Sequence, residues 1–345
     1  MAAGSELLNF TLSTGGQPGD APGLNTNIHV ERRDSAAAVW KPGSAVVGLA
    51  GADGAVGYSM YGVWSGNEAL VWFTSDSTGA SYGGRYTPAT DTWKPMAKAG
   101  GPFCQNQACG QAYWGGGRMY VAGAQYDVAT DTWSPAGGLP TNPALGAATV
   151  HGDLFGLGKA PVGSSFEVGA YVYDPVAKKW TLKATVGAPL WSDTITRVFY
   201  GVTANQELIV GADIDMLPGE VSAYRYDSTA DRWSPVSYRP AWLTFPGGTP
   251  NAELVETGDK LLYAIDTTHV YLLDPVSGIW GIAPPVPLTN PYQPWVAAIG
   301  SMCGVLAGAC SSGTAYVTGL GGSGMVSTHV FAFTPPTGPL ALHCN

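Results

Sequence analysis

The side chains with chemistry to offer in this sequence are carboxylates and large aromatics that fall outside the regular apolar runs. Asp76, Asp213, Asp215 and Asp266 follow short apolar stretches, and Asp193 stands in a longer irregular segment. Paired carboxylates such as Asp213-Ile-Asp215 can hydrogen-bond sugar hydroxyls, contribute to a Ca²⁺ shell, or serve as acid and base. Two carboxylates are too few for a calcium site, which takes about six to eight oxygens. Asp193, Asp213, Asp215, Tyr238 and Arg239 are the groups available for catalysis if the chain is an enzyme. Trp191, Trp242, Trp295 and Tyr292 lie in similar irregular segments and can stack on a sugar ring or another flat apolar ligand. The histidines at 29, 151, 269, 329 and 343 include no pair at metal-ligand spacing, so no metal and no cofactor are expected.

A repeat sets the elements that must position these residues. Tyr86-Thr-Pro-Ala-Thr-Asp-Thr-Trp93 returns as Tyr126-Asp…Trp133, Tyr173-Asp-Pro…Trp180, Tyr226-Asp…Trp233 and Leu273-Asp-Pro…Trp280, each with Trp seven residues after the first position. Weaker copies end at Trp40 and Leu340. The Trp residues from Trp40 to Trp280 are spaced 53, 40, 47, 53 and 47 residues apart, a mean of 48. Each copy reads as a strand, a tight turn begun by Asp or Thr, and a second strand. A further alternating hairpin precedes it, as in Gln111–Trp114, Gly115-Gly-Gly, Arg118–Gly123. The unit is therefore four antiparallel strands, a to d. One such sheet cannot bury both faces alone, so successive sheets must pack face to face.

The Tyr-Asp…Trp turns and the glycines after strand b, such as Gly123, Gly158 and Gly211, resemble the kelch-repeat superfamily. The resemblance spans nearly the whole chain and implies an all-β, kelch-like β-propeller. Dividing 345 residues by the mean spacing gives about seven units. The expected layout is one domain over 1–345, with N-terminal strands in 1–40, five whole blades in 41–280, and the last blade with a closing strand in 281–345. On this layout the N-terminus supplies strands b, c and d, and a C-terminal strand completes the ring; six blades is the alternative. The repeat Trp residues 40, 93, 133, 180, 233 and 280 then pack between blades, and Trp64, Trp72 and Trp114 join the core.

In that fold, the a–b and c–d turns lie on one face, and the b–c loops and d–a connectors lie on the other. Nearly all the variation in spacing falls in the second set, which places the ligand face there. Trp191, Trp242, Trp295, Tyr292, Asp76 and Asp266 are its expected binding residues. The net charge of −9 argues against a nucleic-acid partner, and no apolar run is long enough to span a bilayer. The expected partner is a glycan or other small molecule, with a sugar epimerase, lyase or hydrolase and a protein-interaction scaffold as alternatives. Cys104 with Cys109, and Cys303 with Cys310, are candidate disulfides, with Cys344 left over. They fit a secreted protein whose signal peptide is not in this sequence, against a cytoplasmic alternative with reduced thiols.

Overall fold

The computed structural model describes residues 2–3, 6–13, 27–34, 40–44, 58–75, 81–103, 112–138, 144–162, 165–189, 197–203, 205–213, 221–243, 252–253, 255–257, 259–264, 270–283, 309–311, 314–319, 329–333 and 340. The chain forms two compact units, residues 1–138 with 302–304, and residues 139–301 with 305–345. Among the described residues, every regular element is a β-strand.

The first unit holds three sheets, each in chain order and antiparallel. They comprise β1 (Ala2–Ala3), β2 (Glu6–Ser13), β3 (Asn27–Asp34) and β4 (Trp40–Pro42); β5 (Tyr58–Trp64), β6 (Ala69–Ser75), β7 (Ser81–Thr87) and β8 (Thr92–Pro95); and β9 (Tyr113–Gly115), β10 (Arg118–Val121), β11 (Ala124–Asp127) and β12 (Thr132–Pro135). The second unit begins with β13 (Ala144–Val150), β14 (Asp153–Val162), β15 (Ser165–Asp174) and β16 (Lys179–Leu182) in one sheet. Next come β17 (Arg197–Val202), β18 (Leu208–Asp213), β19 (Val221–Asp227) and β20 (Arg232–Tyr238), with β21 (Ala252–Glu253) added beside β17. A further sheet holds β22 (Val255–Thr257), β23 (Lys260–Ala264), β24 (Val270–Asp274) and β25 (Ile279–Ile282); the last holds β26 (Ala309–Ser311), β27 (Thr314–Gly319) and β28 (His329–Phe333).

Two expectations need correction. The N-terminal sheet does not lack its first strand: Ala2 and Ala3 pair with Leu7 and Glu6, so β1 fills the place assigned to a strand from the other end of the chain. The sequence Ala252-Glu-Leu-Val-Glu, Thr257-Gly-Asp, Lys260 onward reads as one hairpin, but its first strand is divided between two sheets. Ala252 and Glu253 run parallel to Phe199 and Tyr200 of β17, and only then does the chain pair with β23. The open backbone groups on the edge of β17 capture these two residues first.

Local chemistry explains the turns. Gly116-Gly117 and His151-Gly152 hold positive φ at both central positions, the geometry of a two-residue hairpin that matches strand twist. In the c–d turns, Asp127, Asp174, Asp227 and Asp274 each accept two backbone N–H bonds from residues two and three further on. The residue five after the repeat's first position always has positive φ, whether Asp91, Asp131, Lys178, Asp231 or Gly278. Asp and Gly are residue types that tolerate that region.

The Asp at this position joins neighbouring sheets. Tyr86 and Tyr226 donate their hydroxyls to Asp91 and Asp231 at 2.6 Å, and Tyr126 donates likewise to Asp131. The same carboxylate oxygens accept the backbone N–H of Ser44, Ala184 and Ala97, each at 2.9 Å. The indole N–H of Trp93, Trp233 and Trp133 donates to the carbonyls of those same three residues, at 2.8, 3.0 and 2.9 Å. Each captured residue lies four positions beyond the Trp of the preceding sheet. One sheet thus grips both polar groups of a single peptide residue where its neighbour's outer strand ends.

Apolar clusters fill the same seams. Leu8, Phe10, Ile28 and Val30 pack with Val71, Phe73 and Tyr86, while Trp72, Met119, Tyr126 and Trp133 form the next cluster. In the second unit, Phe155, Leu157, Tyr200, Tyr226 and Trp233 pack together, as do Phe199, Leu261, Leu273 and Trp280. Trp133, Trp233 and Trp280 are buried, and Trp93 and Trp180 are half-buried; the side chain of Trp40 lies outside the described residues. Trp72 is fully buried, and Trp64 and Trp114 pack at the rims of clusters as expected. Leu340, the last copy's counterpart of Trp, comes within 3.2 Å of the Cβ position of Gly281.

The clamp makes stability pH-dependent at both ends. Burial works against ionisation of Asp91 and Asp231, but bonds from the Tyr hydroxyl and the captured N–H outweigh it and hold both carboxyls below the usual range. That stability is present above the unfolded value near about pH 4 and is lost as pH falls through the lowered folded values. Burial, then the bond to Asp, raises the phenols of Tyr86, Tyr126 and Tyr226 well above their ordinary value. Their stability is present below about pH 10 and lost as pH rises further. Asp231→Ala, which orphans the Tyr226 hydroxyl and the Ala184 N–H, is expected to cost about 2–4 kcal/mol in urea denaturation at pH 7. Phenolate absorbance on alkaline titration is expected to arrive for these three tyrosines only with unfolding.

Candidate functional site

Three of the connectors that follow a strand d begin at a residue held by the clamp, Ser44, Ala97 or Ala184. After β8 the chain passes Ala97 and turns at Lys98–Gly101, with Gly100 at φ +80°. The Pro102 carbonyl then accepts the Trp72 indole N–H and the Ser81 hydroxyl, both at 3.1 Å. The connector after β16 takes the same course: Ala184 is held, Gly187 has φ +80°, and the Pro189 carbonyl accepts the Val168 N–H at 2.9 Å. A Cβ on Gly187 would lie 2.9 Å from the Trp233 carbonyl oxygen, so position and φ both require glycine there. In sequence this is Trp, then Gly seven on, then Pro nine on, a spacing that pattern-reading for strands missed.

The connector after β20 is built differently and holds the expected site residues that the structure describes. Arg239 Nε donates to the Leu243 carbonyl at 3.1 Å, and the Leu243 N–H donates to the Pro240 carbonyl at 3.0 Å. Leu243 is fully buried in the cluster that includes Tyr271 and Trp280. This closed turn carries Trp242 with its ring centroid 6.1 Å from that of Tyr271, at 43° between planes. Trp242 is 39% exposed, and Tyr238, at the end of β20, is 60% exposed. Arg239, a catalytic candidate by its sequence, shapes the turn that presents the indole.

Asp213 ends β18 opposite Arg197 of β17, at the same end of the sheet as the connectors. Asp76, Asp193, Asp215, Asp266, Trp191, Tyr292 and Trp295 lie outside the described residues, as do Cys104, Cys109 and Cys303. Cys310 sits in β26 opposite Ala315. Among the described residues, no group of three or more His, Cys, Asp or Glu could hold a metal.

One feature at the same end was not foreseen. Strands β14 and β15 run ten residues each and pair out to Val162 and Ser165. On them Phe166 is 41% exposed, with the Lys159 ammonium 3.9 Å from its ring centroid. No sequence signal marks it: Lys159-Ala-Pro-Val162 has little strand character, and the glycine at 158 reads on its own as a strand end.

No protein-family model and no curated protein matches the chain, so the kelch resemblance stands on the repeat residues themselves. Similar solved structures include TolB from Acinetobacter baumannii, at 12% identity and TM-score 0.40 over 96% of this chain and 77% of that one. The β-propeller domain of the Trilobed protease from Pyrococcus furiosus, described as having an open velcro topology, has 7% identity and TM-score 0.45 over 96% and 90%. An oligogalacturonate lyase in complex with manganese has 10% identity and TM-score 0.40 over 98% and 99%. Identities of this size carry no ligand, reaction or metal from those proteins to this chain.

Arg239→Ala is expected to raise amide exchange across 240–243 at least tenfold. Protection of β19 and β24 should remain, because the change loosens the connector and leaves the sheets intact. Exchange measured by mass spectrometry on peptides covering these segments checks it.

Proposed function

We propose that the chain is a kelch-like seven-bladed β-propeller that binds a carbohydrate on the face formed by the d–a and b–c segments. Seven sheets among the described residues and a clamp repeated at three seams support the architecture. A single domain of this length has an expected radius of gyration of about 20 Å by small-angle scattering.

The observation that carries the binding role is the Trp242 platform: an indole left two-fifths exposed, held beside Tyr271 by a turn that Arg239 closes. A large aromatic kept rigid and partly wet costs little entropy when it stacks on a flat partner. Tyr238 brings a second exposed ring and a hydroxyl on the same connector, suited to the mixed apolar and polar surface of a sugar. Catalysis needs titratable groups converging on one point. Arg239 already spends its Nε on the Leu243 carbonyl, which favours binding over reaction. On this reading the protein works in an oxidising compartment with Cys104–Cys109 and Cys303–Cys310 paired, and mass spectrometry with and without reductant tests that part alone.

A glycan array followed by titration calorimetry on the hits tests the ligand. Trp242→Ala is expected to weaken binding at least tenfold, about 1.4 kcal/mol, with an unchanged urea midpoint. An array without hits, or full affinity in that variant, overturns the sugar-binding reading.

A further inference from the structure

The outer strand of each sheet is an edge, and most of these edges are guarded in the same way. Pro42, Pro95, Pro135 and Pro235 each stand two residues after the repeat Trp on β4, β8, β12 and β20. The residue after the first three of these prolines donates its N–H inward: Gly43 to Val30, Met96 to Gly83 and Ala136 to Gly123. In an antiparallel pair these directions alternate, so the proline position faces away from its sheet. Proline there deletes an outward donor and blocks the addition of another strand.

In the β13–β16 sheet the guard is missing. Lys183 donates inward to the Ala170 carbonyl at 2.9 Å, which puts Leu182 in the outward-facing place. Leu182 keeps its N–H and is 38% exposed. Around it stand Lys178, Lys179 and Lys183, three of the eight lysines in a chain of net charge −9. Lys178 and Lys179 are exposed; Lys183 lies 3.5 Å from Asp231. Ile282 replaces the proline on β25 as well, but with no lysine in that strand.

We propose that the outer edge of β16 takes an extended acidic segment of another protein as an added strand. Charge selects that occupant. In an antiparallel pairing centred on Thr181, a second copy of this edge would set Lys179 against Lys183, and like charges opposite one another are destabilising. An acidic strand turns the same two positions into favourable pairs, with an apolar residue beside Leu182. Addition of a short strand to a sheet edge already occurs within the chain, where Ala252-Glu253 runs parallel to β17.

The probe is a fluorescein-labelled peptide with the core Glu-Val-Thr-Val-Glu, followed by anisotropy at low salt, beside a counterpart with Lys in place of both Glu residues. The acidic peptide is expected to bind and the basic one to fail. Lys178→Glu with Lys179→Glu should weaken binding at least tenfold, a difference that shrinks as salt rises. Leu182→Pro installs the residue found on four sister strands and should abolish binding with little loss of stability. If that variant does not fold, slowed amide exchange of Leu182 in the wild-type complex carries the test instead. Equal binding of both peptides, full binding by folded Leu182→Pro, no slowing at Leu182, or concentration-dependent dimerisation through this edge would each overturn the proposal.

Discussion

The fold depends on how one sheet holds the end of its neighbour. A carboxylate takes the N–H and an indole takes the C=O of a single peptide residue just past an outer strand. Packing alone would let sheets slide, because apolar contact has no direction. Two hydrogen bonds to the N–H and C=O that flank one residue fix both distance and angle, and a third from tyrosine keeps the carboxylate aimed. The positive φ of the aspartate puts its side chain within reach of all its donors at once. Seam geometry is thereby set at the turn, and the apolar clusters fill the space that remains.

This arrangement separates stability from recognition. The c–d turns, the repeat Trp residues and the first residues of the connectors are committed to joining sheets. Tyr238–Leu243, at and beyond the end of β20, take no part in that clamp. The connector after β20 bends back into the core through buried Leu243 and carries an exposed Trp on a fixed support. A rigid platform on an otherwise variable segment is the usual structural basis of selective binding.

Much of this was legible in the residues. The Tyr-to-Trp spacing marks the c–d turns, Gly-Gly and His-Gly mark hairpins, and the buried indoles follow from their place in the repeat. Other features escaped for physical reasons. The aspartate two before the Trp reads as an ordinary turn residue, and its main-chain partners in the neighbouring sheet lie 34 to 47 positions away. Ala252-Glu253 has the composition of a strand whichever sheet it joins, so sequence could not say that β17 would take it. Arg239 looked available for chemistry because a bond to a carbonyl four residues on leaves no mark on composition. Phe166 and Lys159 meet only because a hairpin continues past Gly158, where glycine ordinarily signals a stop.

The grip on main-chain atoms has a consequence for how such a molecule can diverge. The captured residue is serine once and alanine twice, and its side chain contributes beyond the shared pattern only in the serine case. A seam that reads the main-chain groups of a residue and ignores its side chain places almost no demand on the neighbour's identity. Copies can drift apart until two or three letters remain in common and still dock correctly, and a sheet transplanted between positions would need only those letters to be accepted.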